Sequence, residues 1–475
     1  MQLTTTFLSL LQEFRSCFTQ PTFRTFLALM TGWLLSFRHR FITELIQSSG
    51  STRAGHHSRF HRFFSHAAWQ IDRLWCALAR LLIRVFAPWG LIELAVDDTL
   101  CRKRGLTVYG SGMHHDPLLS SRALKVFSWG HDWVVLCLII HYCPWAPTKV
   151  WCCPLLARLY RNRQGLTKGK KAKGKKAKAA KKGKGAKAKA KRRAQQRPAD
   201  PNHRTRPQLA VEMLHLLAGW FPQRRFLVSG DSAYGGQSVL QPLPSNVELL
   251  SRVASKAALY APVEPPVPGQ KPKGRPRKKG ARLPGMEAWA QDASQPWQPL
   301  VFHQFGLHAT LQVKTRQALY YKAGKDRLLT IVLVHDVLGK RPDQMFYCTR
   351  LDWDARTILS CYSRRWAIEV TFENCKQLLG LADPANRVPL AVTRTAPMAL
   401  LLYSLVLVWF HQEGHKWVEF PDRPWYRKKQ EPSFADMLST LRRLSWLELF
   451  RSVPYLGAGV EKVVALLIGF VSRAS

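Results

Sequence analysis

The sequence predicts an α/β protein built on a mixed sheet, and three observations carry that prediction. Short apolar runs with β-branched residues, LIELAVDDT from Leu91 and FLVSG from Phe226, read as buried strands, and both lead into aspartates. Longer segments before and between them carry apolar residues at spacings of three and four, the period of an amphipathic helix. Near the other end of the chain, nothing from Tyr362 to Lys376 breaks a helix, and residues 355–380 read as one helix. With 475 residues and 46% hydrophobic content, the chain can bury a sizeable core and hold more than one domain.

Residues 1–88 read as helices, from FLSLLQEF, TFRTFLALMTGWLLSF and AAWQIDRLWCALARLLIRVF. Between the last two, STRAGHHSRFHRFFSHAAW interleaves basic and aromatic residues. Two readings stand. Arg59, His61, Arg62 and His66 grip phosphates while Phe60, Phe63 and Phe64 pack beneath them, or the stretch is a basic solvated loop. No clear helix-turn-helix signature is present. At Leu91 the texture changes to the first strand, with Asp97 and Asp98 at its carboxyl end. After a basic, Gly-rich loop, residues 123–142 turn strongly β, and Gly130–His131–Asp132 reads as a hairpin turn. Three sequential, antiparallel strands are expected here. His114, His115 and His131 are read as loop and turn residues rather than metal ligands.

Residues 168–193 hold only Lys, Arg, Ala and Gly; fifteen of the twenty-six are cationic and none is acidic. Such a run repels itself and buries no apolar surface, so disorder is expected, with sequence-independent affinity for nucleic acid. A helix follows at 207–220, then FLVSG with Asp231 at its end, then a strand at 247–254. GQKPKGRPRKKGARLPG (269–285) is basic and rich in Pro and Gly. Its Arg275 and Arg277 suit either a minor-groove arm or a solvated loop. HATLQVKTR, RLLTIVLVHD and QMFYCTRL read as strands of an antiparallel insert. The apolar run 398–410 is shorter than a membrane span and reads as a core helix.

The formal charge of +42 and a pI near 10.4 call for a polyanionic partner, nucleic acid before membrane. Ten cysteines without paired zinc spacing read as reduced and mostly buried, as in a cytosolic protein. Met1 to Arg15 lacks the basic start and apolar run of a signal peptide. The most informative stretch is YSRRWAIEVTFENCK. Tyr362, Arg365, Glu369 and Lys376 are spaced three, four and seven apart, which puts all four on one stripe of a helix. An exposed ion-pair lattice would look the same. Next to a core, a carboxylate flanked by phosphate-binding groups suits a metal ion holding a phosphodiester.

Two strand-end acids and one helical acid, in this order of elements, follow the RNase H-like fold. Hard divalent cations take oxygen ligands, and two ions about 4 Å apart clamp the attacking and leaving oxygens of phosphoryl transfer. The chain resembles the DDE transposases of bacterial insertion sequences, in the subgroup with a Tyr-x2-Arg-x3-Glu-x6-Lys signature. Tyr362, Arg365, Glu369 and Lys376 match it completely. The DDT at 97–99, the GDSAYGG at 230–236 and the β-rich insert are similar too, as are GRPRKKG and PDRPWYRKK. The resemblance covers about residues 58 to 445; the lysine-rich run is where the chain departs from it.

That family's first acid directly precedes a Thr, so the resemblance selects Asp98 over Asp97. It implies Asp98, Asp231 and Glu369 as catalytic ligands of two Mg²⁺ ions, with Mn²⁺ as a substitute. It implies Tyr362, Arg365 and Lys376 as contacts to the phosphate at the transposon end. Arg59, Arg62, Arg275 and Arg277 are weaker candidates for DNA contact. The expected organisation is a helical region at 1–88 that binds DNA, an RNase H-like core at 89–160, 207–254 and 351–412, a lysine-rich insertion at 161–206, a β-rich insertion at 255–350 and a helical region at 413–475. The expected function is DNA transposition at double-stranded transposon ends and target, by a homodimer in the DNA complex, in the bacterial cytoplasm at the nucleoid and without a membrane. A DDE-type nuclease without strand transfer, or a non-catalytic DNA-binding descendant, are the alternatives.

Overall fold

The computed structural model describes residues 3–121, 123–162, 203–263, 277–304, 307–339, 341–420 and 428–451, with 464, 467 and 468. The lysine-rich run 168–193 and Arg275 lie outside the described residues, as does most of PDRPWYRKK.

One sheet of ten strands organises the chain. The strands are β1 (Ile92–Arg102), β2 (Gly112–His115), β3 (Phe127–Ile140), β4 (Trp151–Tyr160), β5 (Phe226–Gly230), β6 (Val247–Val253), β7 (Gln298–Gln304), β8 (Leu307–Leu319), β9 (Leu328–Asp336) and β10 (Gln344–Cys348). Their order is β2-β3-β1-β5-β6-β10-β9-β8-β7, and β4 also pairs with β3. β1, β5 and β6 run parallel, and the remaining pairings are antiparallel. The succession β4-β3-β1-β5-β6, antiparallel and then parallel, is the α/β RNase H-like sheet. The insert strands β7, β8 and β9 extend that same sheet through β10.

Two details of the first half differ from the sequence expectation. Gly130 is no hairpin turn: β3 runs unbroken through Gly130–His131–Asp132, which pair with Arg102, Cys101 and Leu100 of β1. The glycine is there for close approach, since a Cβ on it would stand 2.4 Å from the Cys101 carbonyl oxygen. The hairpin partner is instead β4, whose Cys152, Cys153, Leu155 and Leu156 are buried. Its continuous burial removes the alternation that marks a half-exposed strand.

Helices cover both faces of this sheet. α6 (Arg206–Trp220) starts at a reciprocal capping box between Thr205 and Gln208 and packs on β3 and β4. α8 (Ala367–Gln377) and α10 (Pro397–Gln412) pack on β4. There the Thr371 hydroxyl donates to the Cys152 carbonyl at 2.7 Å and the Ser404 hydroxyl to that of Pro154 at 2.9 Å. Together α9 (Pro389–Thr395) and α10 make a 24-residue apolar stretch long enough to cross a membrane, but 94% of its most apolar window is buried inside the protein. The run 398–410 is a core helix, as expected, within a longer apolar stretch than the run itself.

The N-terminal helices α1 (Thr5–Leu11), α2 (Gln20–Leu35), α3 (Ile42–Ser48), α4 (Ser58–Ser65) and α5 (Ile71–Phe86) share this core. Trp33 donates from its indole to the Leu379 carbonyl at 2.8 Å, and Trp409 to the Thr6 hydroxyl at 3.0 Å. Arg394 donates to the carbonyls of Phe64, Ala67 and Trp69. The C-terminal α11 (Phe434–Arg451) returns to the same helices, with Arg442 donating to the Leu34 carbonyl at 2.8 Å. Leu405 is fully buried in α10, within the shared core. Leu405→Ala should therefore cost about 2–5 kcal/mol, read as a lowered melting temperature in scanning calorimetry.

Candidate active site

The site is built where the pairing of β1 with β5 stops: β5 ends at Gly230, while β1 runs on to Arg102, so Asp97 and Asp98 lie within the strand and not, as the sequence suggests, at its carboxyl end. The parallel register of β1 and β5 pairs Val96 with Gly230, so Asp97 follows beside Asp231. Side chains alternate along a strand, so Asp97 and Asp98 face opposite sides of the sheet. On the Asp97 face lie α7 (Ala355–Arg364) and α8. The sequence reads this region as one helix, but Arg365 and Trp366 form a turn between two. The bonds across it run Arg365 N to Tyr362 O at 3.1 Å and Glu369 N to Trp366 O at 3.0 Å, the tighter i-to-i−3 pattern. At this turn two adjacent arginines both reach β1. Arg364 holds Glu93 with two bonds of 2.8 and 2.7 Å, and Arg365 holds Asp97 at 2.9 Å.

Arg365 also lies 3.4 Å from Glu369, so its guanidinium spans the strand acid and the helix acid. Its carbon sits 5.6 Å from the centre of the Tyr362 ring, which leans on Phe346. Tyr362, Arg365 and Glu369 are thus gathered in one place. Lys376, two helical turns on, lines a separate cavity with Arg38, His39 and Arg40. Glu373 is exposed and away from the site.

On the other face Asp98 accepts a hydrogen bond from the buried Tyr234 hydroxyl at 2.8 Å and lies 3.3 Å from Arg206. Arg206 also binds Asp132 of β3 and stacks over Tyr160 at 4.6 Å. His114 Nδ1 stands 3.6 Å from Asp132. So Asp97, rather than the Asp98 favoured by the resemblance, is the β1 acid that Arg365 links to Glu369. A two-residue acidic pair on a strand cannot reveal from its own pattern which member faces which helix. Asp132 and Arg206 are part of the polar cluster but escaped the sequence reading. Gly130, two residues before it, gives Asp132 the look of a turn residue, and Arg206 has only a helix start to mark it. His114 and His131 are strand residues, and burial pushes both imidazoles down to about 4.

The acids are held at high pKa. Burial raises Asp97 to about 7, although Arg365 pulls it down, and the charges of Asp98 and Asp231 add to the rise. Burial and then Asp132 raise Asp98 to about 6 against the pull of Arg206, and Asp231 adds to this as well. Glu369 is raised by burial, lowered by Arg365, and raised by Asp231. Asp231 therefore acts on all three other acids. Its own carboxylate accepts the Ala233 N–H at 2.9 Å.

Among the described residues, no three His, Cys, Asp or Glu side chains are close enough to hold a metal ion. The donor set is nonetheless all oxygen, which suits a hard divalent cation, and the Arg365 guanidinium supplies the positive charge between Asp97 and Glu369. Elsewhere, Arg59, His61, Arg62 and His66 are exposed on and after α4, while Phe60, Phe63 and Phe64 are buried beneath. Arg277 is exposed.

An RNase H-like sheet with acids on two adjacent parallel strands where their pairing stops, and a third acid on the helix against them, defines a nuclease-type fold. Residues 13–322 match the family model described as DDE superfamily endonuclease, and the chain belongs to that family. The match ends before α7, so Glu369 and the rest of its signature lie beyond the matched residues. No curated protein matches the chain. Nucleases of this family generally use divalent metal ions.

The raised acids fix the sign of a pH dependence. A carboxyl whose folded pKa lies above its unfolded value binds its proton more tightly in the folded state. Its contribution to stability is full below the unfolded value and is lost as pH rises through the folded one. For Asp97 that window runs from its ordinary 3.8 to about 7. Without added metal, the melting temperature should fall across this window, and Asp97→Asn should flatten the fall. A profile unchanged by that substitution would refute the assignment of the raised carboxyl.

Proposed function

We propose that the chain is the DNA transposase of an insertion sequence, catalysing metal-dependent cleavage and strand transfer at transposon ends. The observation that carries this reading is the joining of Arg365, Glu369 and an acid of β1 within a complete Tyr-x2-Arg-x3-Glu-x6-Lys signature. Asp231 and Glu369, with one acid of β1, would hold Mg²⁺, for which Mn²⁺ would substitute. The resemblance assigns the β1 place to Asp98, and the contact through Arg365 favours Asp97. The ions would supply charge for the attacking and leaving oxygens of the phosphodiester. Arg365 and Lys376 would hold the end phosphate by charge-assisted hydrogen bonds, and Tyr362 by a neutral one. The partners would be double-stranded DNA at ends and target, engaged by a homodimer, in the bacterial cytoplasm at the nucleoid. The lysine-rich run would add non-specific affinity.

Glu369→Gln removes a charged ligand and keeps the side chain's shape. It should abolish Mg²⁺-dependent cleavage of end DNA and leave binding intact; cleavage at the wild-type rate would sink the reading. Within β1, Asp98→Asn should abolish cleavage if the resemblance picks the ligand, and Asp97→Asn if the Arg365 contact does. A strand-transfer assay with pre-cut ends separates transposase from plain nuclease, because the nuclease would cut uncut ends but never join pre-cut ones. Deleting 168–193 should weaken binding and flatten its salt dependence, since fewer counterions are released. Cleavage at saturating DNA should persist.

A further inference from the structure

The cavity beside Lys376 joins that residue to side chains that the chemistry above does not use. It encloses about 450 Å³ and is lined by Arg38, His39, Arg40 and Lys376, with Gln377, Gly380 and Asp383. Three permanent cations stand there against one carboxylate.

The cavity's floor is built rather than incidental. Arg40 is only 6% exposed. Its guanidinium donates to the Leu378 carbonyl at 2.8 Å and to the Arg38 carbonyl, while its Nε has no partner. Asp383 accepts the Arg40 backbone N–H at 2.9 Å. That fold-back depends on Gly380, which has φ +63°; a Cβ there would stand 2.4 Å from Asp383 Oδ2 and 2.6 Å from Arg40 Cγ. Asp383 is thereby spent on Arg40 and, at 3.9 Å, on His39. Arg38 is exposed, and neither its side chain nor that of Lys376 makes an ion pair or side-chain hydrogen bond among the described residues.

We propose that this cavity is a phosphate-binding site in which Arg38 joins Lys376 to hold one backbone phosphate of DNA. The proposal rests on the transposase reading for the direction of the strand. Lys376 follows Glu369 by seven residues on α8, about 10 Å along the helix axis. The loop between α2 and α3 thus contributes to DNA binding directly, and the N-terminal helices do so through more than α4.

The test is a double-variant cycle on a labelled duplex of random sequence, followed by fluorescence anisotropy at fixed salt without metal. Arg38→Gln and Lys376→Gln should each weaken binding by roughly tenfold. If both side chains hold one phosphate, the double variant loses less than the product of the two single losses. Losses that simply multiply mean separate phosphates and overturn the shared site. Inorganic phosphate should raise the melting temperature of the wild type more than that of Arg38→Gln. Protection by phosphate with DNA affinity unchanged in both variants would make this a site for a free anion and overturn the backbone assignment. None of these readouts needs cleavage, so their failure is distinct from failure of the transposase reading, which Glu369→Gln tests.

Discussion

The guanidinium of Arg365, fixed between Asp97 and Glu369, is the contact on which the site depends. It joins the middle of the central strand to the turn before the helix that follows the insert, across 268 residues of chain. Carboxylates this deep are costly unless paired. Asp97 rises to about 7 even with Arg365 against it, so burial outweighs the ion pair there. The protein keeps these groups on the strands and offsets their charge with a cation on its own backbone turn. A tight 3₁₀-like turn is what lets Arg364 and Arg365, adjacent in sequence, anchor at Glu93 and Asp97, four residues apart on one face of β1.

β1 carries this arrangement on both sides. The Asp97 face meets Arg365 and the Asp98 face meets Arg206, so an arginine from the α7–α8 turn and one from α6 balance two neighbouring acids. Asp231, just past the end of β5, stands beside Asp97 and raises both. Asp97 and Asp98 therefore both resist ionisation, and an added positive charge nearby relieves them together. A divalent cation is the strongest such relief, since it brings two charges and oxygen-seeking coordination to a site already lined with oxygen.

Much of this was legible in the chain. The strands LIELAVDDT and FLVSG, the acids at their ends and the signature around Glu369 all stand out, because burial and period leave direct marks on composition. What escaped has physical reasons. β4 is buried on both faces and so shows no alternation. Gly130 looks like a turn signal, but its missing side chain serves the close packing of β1. The break at Arg365 leaves no mark in sequence because its residues keep helical backbone angles, φ −52° and ψ −33° at Arg365, and differ only in their hydrogen bonds. Asp132 and Arg206 act through contacts between elements far apart in sequence, which no local pattern encodes.

The split of the signature stripe follows from the same turn. On one unbroken helix Tyr362, Arg365, Glu369 and Lys376 would form a single row. In the structure Tyr362 belongs to α7, Arg365 to the turn, and Glu369 and Lys376 to α8. The first three gather at Asp97 of β1, where Arg365 is paired with carboxylates. Lys376, two turns farther on, faces a cavity whose one acid already serves Arg40 and His39. Along α8 the environment thus passes from anionic at Glu369 to cationic at Lys376. A polyanionic strand laid along this helix would meet acid and metal at one end and free positive charge at the other, which orients it without reading a base.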